Sequence, residues 1–260
     1  MTQPGNEQST VVEEFEILMP DSLNNLAQNE EWFELRTEAG TRRLRFHDYS
    51  DIYAVPGLYE SLFYETLECN SPEIVCNLIA DAMDEFEFSF EDLRVLDVGA
   101  GNGMVGERLA EAGADHLIAI DIIEAAATAT ERDRPEVYAD YLVADLTALE
   151  PAQKELLSTR KLNCLVTVAA LGFDDIPPQA FAEAYNVVEP GGLIAFCLKE
   201  DMVSGEDSSG FSRLIDEALV EGAIELKAER RYRHRLAANG DPLHYVAMVG
   251  QKKADLPAFS

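Results

Sequence analysis

The stretch of residues 95–104, VLDVGAGNGM, constrains the fold of this 260-residue chain more than any other part of it. Three of its first four residues are apolar, two of them β-branched, and the fourth is a carboxylate, which predicts a buried strand. Three glycines follow at positions 99, 101 and 103, and they predict a sharp turn whose backbone can lie against a ligand. Residues 105–112 have a helical pattern, with Gly113 placed to end the helix. A strand, a glycine turn and a helix in this order predict a nucleotide-binding turn.

The glycine spacing and one carboxylate narrow the choice of nucleotide. The dinucleotide fingerprint G-x-G-x-x-G is incomplete, because Met104 stands at its third glycine position. Asp97 ends the strand, where it would repel a pyrophosphate and attract a ligand that carries an ammonium and a sulfonium group. Both features favour S-adenosylmethionine over NAD. The alternative is that Asp97 only caps the loop.

Four later segments continue the pattern in order, each with an apolar strand-like run: 117–121, 141–146, 162–170 and 187–194. Together with D-x-G-x-G-x-G at residues 97–103, they resemble motifs I to IV and the turn into the fifth strand of the class I S-adenosylmethionine-dependent methyltransferases. The resemblance extends to about residue 200. It implies an α/β fold, a Rossmann-like doubly wound sheet of the class I type, with S-adenosylmethionine as cofactor and methyl transfer as activity.

The alternation of strands and helices independently predicts a doubly wound, mostly parallel sheet. Near the end of the chain, residues 224–235 and 243–249 are strand-like, and the sequence NGDP at 239–242 joins them. This pattern predicts an antiparallel C-terminal hairpin at the edge of the sheet. Such a hairpin is similar to the methyltransferase form of the sheet, which has the strand order 3-2-1-4-5-7-6.

Three regions divide the chain in this interpretation. Residues 1–55 are an N-terminal extension, an acidic arm that is flexible to about residue 30, with a short ordered piece at 11–19 and a hairpin at 31–46. Residues 56–253 form the cofactor-binding domain, and residues 254–260 are a tail. The arm contains Tyr49 and Tyr53, and Tyr59 follows it; by the resemblance, these tyrosines are candidates for a lid over the cofactor. The alternative is that they only pack the arm onto the domain.

The resemblance assigns the cofactor site residue by residue. Asp121 ends the second strand, where a carboxylate can accept hydrogen bonds from both ribose hydroxyls. Ile122 is expected to form an apolar wall for the adenine, which Asp145 and Leu146 contact; a turn-capping role is the alternative for Asp145. The remaining cofactor-binding candidates are Asp97, Gly99, Ala100, Gly101, Gly103, Thr167, Tyr49 and Tyr59.

The acceptor is less well specified than the donor. Methyl transfer requires a nucleophile held in line at about 3 Å from the methyl carbon and often a base for its proton. Residues 169–175, AALGFDD, lack the Asn-Pro-Pro-Tyr motif of enzymes that methylate nucleic-acid bases or glutamine, and this apolar loop suggests a small or partly apolar acceptor. The sequence assigns no catalytic residue. His47, in the presumed lid, and Asp174, which fits an exposed loop acid better, are the candidates for a base, whereas His234 and His244 are expected away from the pocket.

Composition excludes several partners. The chain has 49 acidic and 20 basic residues, a formal net charge of −29, which disfavours nucleic acid and anionic lipid surfaces. Its N-terminus lacks the apolar core of a signal peptide, and no stretch has the length of a membrane span. Four cysteines without a C-x-x-C pair fit buried thiols in a reducing cytoplasm. No His, Cys or Asp cluster has the spacing of a metal site.

These observations predict a cytoplasmic class I methyltransferase, a monomer or homodimer, that acts on a small molecule. Methylation of a protein side chain is the first alternative, with the hairpin at 31–46 as the candidate docking surface. The second is a protein that binds S-adenosylmethionine without turnover.

Overall fold

A seven-stranded sheet organises the computed structural model, which describes residues 14–20, 28–172, 175–203 and 209–257. Its strands are β4 (Arg94–Val98), β5 (His116–Asp121), β6 (Asp140–Val143), β7 (Cys164–Thr167), β8 (Leu193–Lys199), β9 (Ile224–Leu236) and β10 (Pro242–Lys252). The order is β6-β5-β4-β7-β8-β10-β9, and β10 alone runs antiparallel to its neighbours β8 and β9. This is the order 3-2-1-4-5-7-6, so the predicted fold class is confirmed.

Helices cover both faces of this sheet. They are α3 (Ser71–Ala82), α4 (Met104–Glu111), α5 (Glu124–Asp133), α6 (Pro151–Thr159), α7 (Pro178–Asn186), α8 (Glu200–Val203) and α9 (Phe211–Val220). Single 3-10 turns span Gln28–Glu30, Met83–Glu85, Phe90–Asp92 and Leu146–Ala148. Side chains of α3 and α4 share one core cluster with one face of the strands, and those of α7 and α9 share another with the opposite face.

The central strands are apolar at consecutive positions because both of their faces are buried. In β7, Leu165 contributes to the α7–α9 side of the core, whereas Cys164 and Val166 contribute to the α3–α4 side. A parallel strand covered by helices on both faces requires this composition. The structure ends β7 at Thr167, three residues before the end of the apolar run at 162–170. Helix α8 was not predicted.

A second, smaller sheet lies at the N-terminal end of the chain. It has β1 (Glu16–Leu18), β2 (Trp32–Thr37) and β3 (Gly40–Arg45) in sequential antiparallel order, which confirms the hairpin predicted at 31–46. Helix α1 (Tyr49–Ala54) follows, and α2 (Leu58–Glu60) continues into a π-helical segment, Ser61–Thr66. Strand β1 falls within the ordered piece predicted at 11–19. The flexible stretch predicted up to residue 30 lies largely outside the described residues.

One apolar cluster joins the small sheet to the segment that follows it. Phe33 and Phe46 pack with Ile52, Leu58 and Leu62, all fully buried. The cluster therefore crosses residue 55, the proposed end of the N-terminal arm. At the other end of the chain, Leu256 is buried and exchanges two hydrogen bonds with the side chain of Asn186. No helix in the described part of the chain has the length and apolar character needed to cross a membrane.

The serine at the start of α3 is used for packing and not as a helix cap. Asn70 is the N-cap and makes no side-chain capping bond, whereas Ser71 is the first helical residue. The hydroxyl of Ser71 lies 2.7 Å from Tyr232 Oη and 2.7 Å from His234 Nδ1, because α3 packs against β9. Ser71 thus serves a contact between elements and not the helix end.

A buried ion pair fastens the small sheet to the C-terminal hairpin. Nη2 of Arg235 donates to Oε2 of Glu31 at 2.7 Å, and the side chains are only 3% and 5% exposed. The other carboxylate oxygen of Glu31 accepts the N–H of Ala238, and the guanidinium also donates to the carbonyl of Leu236 at 2.7 Å. Each charge is therefore paired and hydrogen-bonded, as burial requires.

We expect Arg235→Ala to lower the free energy of unfolding by about 3–5 kcal/mol, because it leaves the Glu31 carboxylate buried without its partner. Urea denaturation measures this value. Arg36→Ala is the matched control, since its pair with Glu16 is 55% and 56% exposed and contributes about 1 kcal/mol or less. Equal losses in the two variants would contradict the anchoring role.

Candidate functional site

The glycine turn after β4 is packed so closely that there is no room for a side chain at Gly99 or Gly101. Gly99, Gly101 and Gly103 have φ values of +69°, +56° and +86°, a region that glycine adopts without strain. A Cβ at Gly99 would lie 2.6 Å from the Cβ of Ala170, and one at Gly101 would overlap the hydroxyl of Tyr53. The turn therefore lies directly against the loop after β7 and the N-terminal segment.

A cavity of about 250 Å³, here called the main cavity, opens beside this turn. It lies where the parallel strands β4, β5, β6 and β7 end, the edge at which sheets of this type bind ligands. Its walls are formed by Tyr49, Tyr53 and Tyr59 from the N-terminal segment, by Ala180 of α7, and by residues 98–99, 120–123, 144–147, 168–170 and 175–177.

Asp121 connects the glycine turn to the end of β5. Its two carboxylate oxygens accept N–H bonds of 3.0 Å from Gly101 and from Ile123. Burial raises the pKa of this carboxyl, and the backbone donors act in the opposite direction. The carboxylate lies in the wall of the main cavity with acceptor capacity left for a pair of hydroxyl groups.

The residues assigned to the adenine line the same cavity. Ile122 is 64% exposed, unusual for a large apolar side chain, and it offers its surface to the cavity. Leu146 is buried and lines the same cavity. Asp145 lines the cavity too, but its Oδ1 accepts from the N–H and the hydroxyl of Thr147 at 2.8 and 2.7 Å. The capping role considered for Asp145 is thus present in the structure.

Three predicted cofactor residues border neither this cavity nor the smaller one described below. Asp97 is 1% exposed and accepts a 2.6 Å bond from Tyr138 Oη, so it lies behind the glycine turn. Burial raises the pKa of the Asp97 carboxyl to about 7, and the Tyr138 hydroxyl acts in the opposite direction. Gly103 is the N-cap of α4. Thr167 is fully buried, and its Oγ1 has no hydrogen-bond partner among the described residues.

The tyrosines of the N-terminal segment form a stacked row over the main cavity. The ring centroids of Tyr49 and Tyr53 are 6.3 Å apart, and those of Tyr53 and Tyr59 are 4.7 Å apart. Burial raises the pKa of all three hydroxyls, which keeps them protonated as hydrogen-bond donors. Arg132 Nη1 donates to the carbonyl of Tyr53 at 3.0 Å and holds the row against α5. The assignment of this row as a lid stays a prediction.

Of the two candidate bases, the structure describes only His47. His47 stacks on Tyr49 with ring centroids 5.5 Å apart but lines neither cavity, and burial lowers its pKa. Asp174 lies outside the described residues. Its neighbour Asp175, to which the sequence analysis assigns no role, lines the main cavity. No group of three or more potential metal ligands occurs in the described ranges.

A smaller cavity of about 60 Å³, here called the second cavity, adjoins the main one. The two share Tyr59, Gly99, Val168 and Ala169, and residues 100–102 of the glycine turn line the second cavity as well. His234 also lines it, so the expectation that this histidine lies away from the pocket is wrong. Strand β9 has the same direction as β4, because β10 is antiparallel to both β8 and β9; its late residues therefore reach the ligand-binding edge. His244 borders neither cavity.

Comparison with known proteins agrees with this geometry. Residues 95–192 match the family model described as a methyltransferase domain. A search of curated proteins gave no match. The match agrees with the predicted resemblance to the class I methyltransferases, with the assignment as an enzyme and with S-adenosylmethionine as cofactor.

Two solved structures show the same fold at low sequence identity. The N-methyltransferase NodS of Bradyrhizobium japonicum, in complex with S-adenosylhomocysteine, is 13% identical, with a TM-score of 0.53 over 80% of this chain and 98% of NodS. A proposed RNA methyltransferase of Pyrococcus horikoshii is 11% identical, with a TM-score of 0.50 over 70% of this chain and 81% of that protein.

We expect Asp121→Ala to weaken the binding of S-adenosylhomocysteine by about tenfold or more, because hydrogen bonds to a charged group are each worth about 1.5–3 kcal/mol. Isothermal titration calorimetry measures the affinity. Asp115→Ala, which removes a carboxylate that is 72% exposed, serves as the control and should leave the affinity unchanged. An unchanged affinity in Asp121→Ala would refute the ribose assignment.

The buried carboxyl of Asp97 leads to a second, independent prediction, which concerns the pH dependence of stability. Because its pKa is raised to about 7 in the folded state, the folded protein holds a proton that the unfolded chain releases above about pH 4. Relative to Asp97→Asn, the free energy of unfolding should fall by about 1.4 kcal/mol per pH unit between about pH 4 and 7. Urea denaturation of both proteins across this range tests the slope, and parallel pH profiles would show that the carboxyl titrates normally.

Proposed function

We propose that this S-adenosylmethionine-dependent methyltransferase methylates a small-molecule acceptor, by in-line attack on the sulfonium methyl group. The observation that carries the proposal is the small size of the space beside the donor site. Tyr49, Tyr53 and Tyr59 line the main cavity, and the second cavity, which shares four wall residues with it, has a volume of only about 60 Å³. An acceptor that reaches the donor through such a space is small, or is a small group on a larger molecule.

The residues of the main cavity fit the donor. Ile122 and Leu146 offer apolar surface to the adenine, and Asp121 offers acceptors to the ribose hydroxyls. Gly99, without a Cβ, lets the methionyl portion lie against the backbone between the two cavities. When bound, S-adenosylmethionine supplies an already activated methyl group, so the protein's contribution is to orient the acceptor, exclude water and receive a proton.

The net charge of the protein favours a small molecule over RNA as the acceptor. The formal net charge of −29 repels a phosphate backbone and opposes the release of counterions that drives binding to RNA. The likeness to the Pyrococcus horikoshii protein is one of fold alone and does not outweigh this. Methylation of a protein side chain remains the second candidate, favoured by the exposed outer face of β3.

The setting we propose is the cytoplasm. Cys69, Cys76, Cys164 and Cys197 are all free thiols. Burial raises the pKa of each of them, so they are kept as unreactive thiols. A chain of this kind suits a reducing compartment.

The acceptor class can be tested by transfer from S-adenosylmethionine labelled with tritium in the methyl group. The protein is incubated separately with the small-metabolite, protein and RNA fractions of an extract from its source cells. We expect label in the metabolite fraction, and loss of that label with Asp121→Ala. Label in protein or RNA alone would overturn the proposal, and binding of S-adenosylmethionine without any labelled product would show a protein that binds the donor without turnover.

A further inference from the structure

A cavity of about 440 Å³, here called the third cavity, lies between helix α5 and strand β6. It is lined by one face of α5, by the segment that connects α5 to β6, and by Tyr141 and Val143 of β6. None of the described residues that line it belongs to the main or the second cavity. Its volume is within the range of about 300–1,000 Å³ that is typical of small-molecule sites. The third cavity is therefore large enough for a ligand of its own.

The charged side chains that line the third cavity are mostly acidic. Glu124, Glu131 and Glu136 contribute three carboxylates, and no ion pair joins any of them to a described basic side chain. Arg134 is the one basic residue among the described residues of the lining. Its side chain is 8% exposed and is already paired with two carboxylates outside the cavity, at 2.8 and 2.9 Å. The cavity therefore favours a positively charged ligand.

The spacing of these carboxylates favours an organic cation over a metal ion. The described ranges contain no group of three or more potential metal ligands, so the carboxylates do not gather around one point. Glu124 and Glu131 are seven residues apart on α5, which separates them by about 10 Å along the helix axis. Two positive groups held about this far apart within one molecule match this arrangement.

Apolar and aromatic surface lies beside these carboxylates. Ala127 stands between the two acidic residues of α5, and Val143 is 43% exposed, one of the few large apolar side chains in the described ranges that face solvent. Tyr138 and Tyr141 add two rings, with centroids 5.9 Å apart and planes inclined at 83°. Methylene groups can pack on such a surface, and an ammonium group is attracted to the face of an aromatic ring. The lining thus fits a cation that carries an apolar chain.

Residues of the third cavity also hold the glycine turn of the donor site. Tyr141 Oη and Thr130 Oγ1 both donate to the carbonyl of Gly101 at 2.8 Å. Tyr138 Oη donates to the carboxylate of Asp97 in β4 at 2.6 Å. Each of these side chains therefore lines the third cavity and bonds, through its hydroxyl group, to the strand or the turn that the donor site is built on.

Packing connects the third cavity to the start of α4 as well. A Cβ at Gly103 would lie 3.3 Å from Thr130 and from Tyr138, and 3.4 Å from Arg134. Arg134 Nη1 also donates to the carbonyl of Asn102 at 3.2 Å. A ligand that restrains these side chains therefore restrains the glycine turn.

We propose that the third cavity binds an organic dication, with two ammonium groups joined by an apolar chain, and that this ligand raises the affinity of the main cavity for the methyl donor. The inference goes beyond the proposed function, because it concerns a second ligand at a separate site. The donor binds to the turn as Thr130, Tyr138 and Tyr141 arrange it. A ligand that orders these side chains in advance lowers the entropic cost of donor binding. By linkage, the donor raises the affinity for the dication by the same factor.

The probe is 1,8-diaminooctane, whose extended chain separates its ammonium groups by a distance similar to the axial separation of Glu124 and Glu131. We expect saturable binding to the full-length protein by isothermal titration calorimetry. 1,4-Diaminobutane, which has both charges but half the chain, should bind about tenfold or more weakly, because fewer methylene groups are buried. Equal affinities would show attraction by the net charge of −29 alone. That result, or no binding of 1,8-diaminooctane, would overturn the inference.

Two double variants locate the probe. Glu124→Gln combined with Glu131→Gln should lower the affinity for 1,8-diaminooctane by about fivefold or more, because both ion pairs with the ligand are lost. Glu111→Gln combined with Glu155→Gln is the matched control. It changes the net charge equally, at two exposed residues that line none of the three cavities, and should retain the wild-type affinity. Equal losses in the two proteins would place the probe on the acidic surface in general and contradict the site.

The coupling is measured by titrating S-adenosylhomocysteine into the protein with and without saturating 1,8-diaminooctane. We expect the diamine to raise the affinity for S-adenosylhomocysteine by about fivefold or more. S-adenosylhomocysteine has no sulfonium charge, so repulsion between two cations does not mask the effect. A fall in its affinity would place the diamine in the main cavity, and an unchanged affinity would show that the sites are uncoupled. Either result overturns the inference.

The route through Gly101 is tested by Thr130→Val combined with Tyr141→Phe. These substitutions remove the two hydroxyl groups that donate to the Gly101 carbonyl and leave the shape of the cavity nearly unchanged. We expect 1,8-diaminooctane to bind within about threefold of its wild-type affinity, which also shows that the variant is folded, while its effect on S-adenosylhomocysteine falls below about twofold. Full coupling in this variant would contradict the route.

Discussion

The hydrogen bond from the Gly101 N–H to the Asp121 carboxylate is the interaction on which the site depends. At 3.0 Å it joins the glycine turn after β4 to the end of β5, and the second oxygen of Asp121 holds the N–H of Ile123. The turn can approach so closely because it has no side chains at Gly99 and Gly101. One carboxylate thereby shapes the loop and presents its remaining acceptor capacity to the ligand.

The N-terminal segment completes the site that this loop begins. Its tyrosine row lies against the glycine turn, and Arg132 and Arg134 of the α5 region hold it there. Arg134 donates to Glu60 of α2 at 2.8 Å and to Glu107 of α4 at 2.9 Å, which links the segment to the helix that follows the glycine turn. The ion pair between Glu31 and Arg235 fixes the small sheet from the opposite side. The part of the N-terminal segment that lines the main cavity is thus supported by charges at several points.

The fold and the donor side of the site were predictable from the sequence, because both depend on local patterns. The run of apolar residues into a glycine turn determines β4, and an acid at the end of the next strand locates Asp121. The position of Asp97 was harder to predict. The sequence shows a carboxylate near the turn, but it does not show that the hydroxyl of Tyr138, 41 residues later, donates to this carboxylate and holds it behind the loop.

The second cavity depends on contacts that are distant in sequence. His234 reaches the second cavity because β9 runs parallel to β4 and because Asn70 N–H bonds its carbonyl at 3.1 Å, neither of which leaves a sequence signal. Ser71 shows the same limit: its position before a proline fits a helix cap, yet its hydroxyl is used by His234 and Tyr232. The sequence shows which residue type stands at such a position, whereas the packing around that residue determines its role.

The central claim is that the main cavity is shaped for S-adenosylmethionine and not for a dinucleotide. A crystal structure of the protein grown with equal concentrations of S-adenosylhomocysteine and NAD tests it most directly. We expect S-adenosylhomocysteine in the main cavity, with its adenine between Ile122 and Leu146 and its ribose hydroxyls on Asp121. NAD in that cavity, or a ribose away from Asp121, would contradict it.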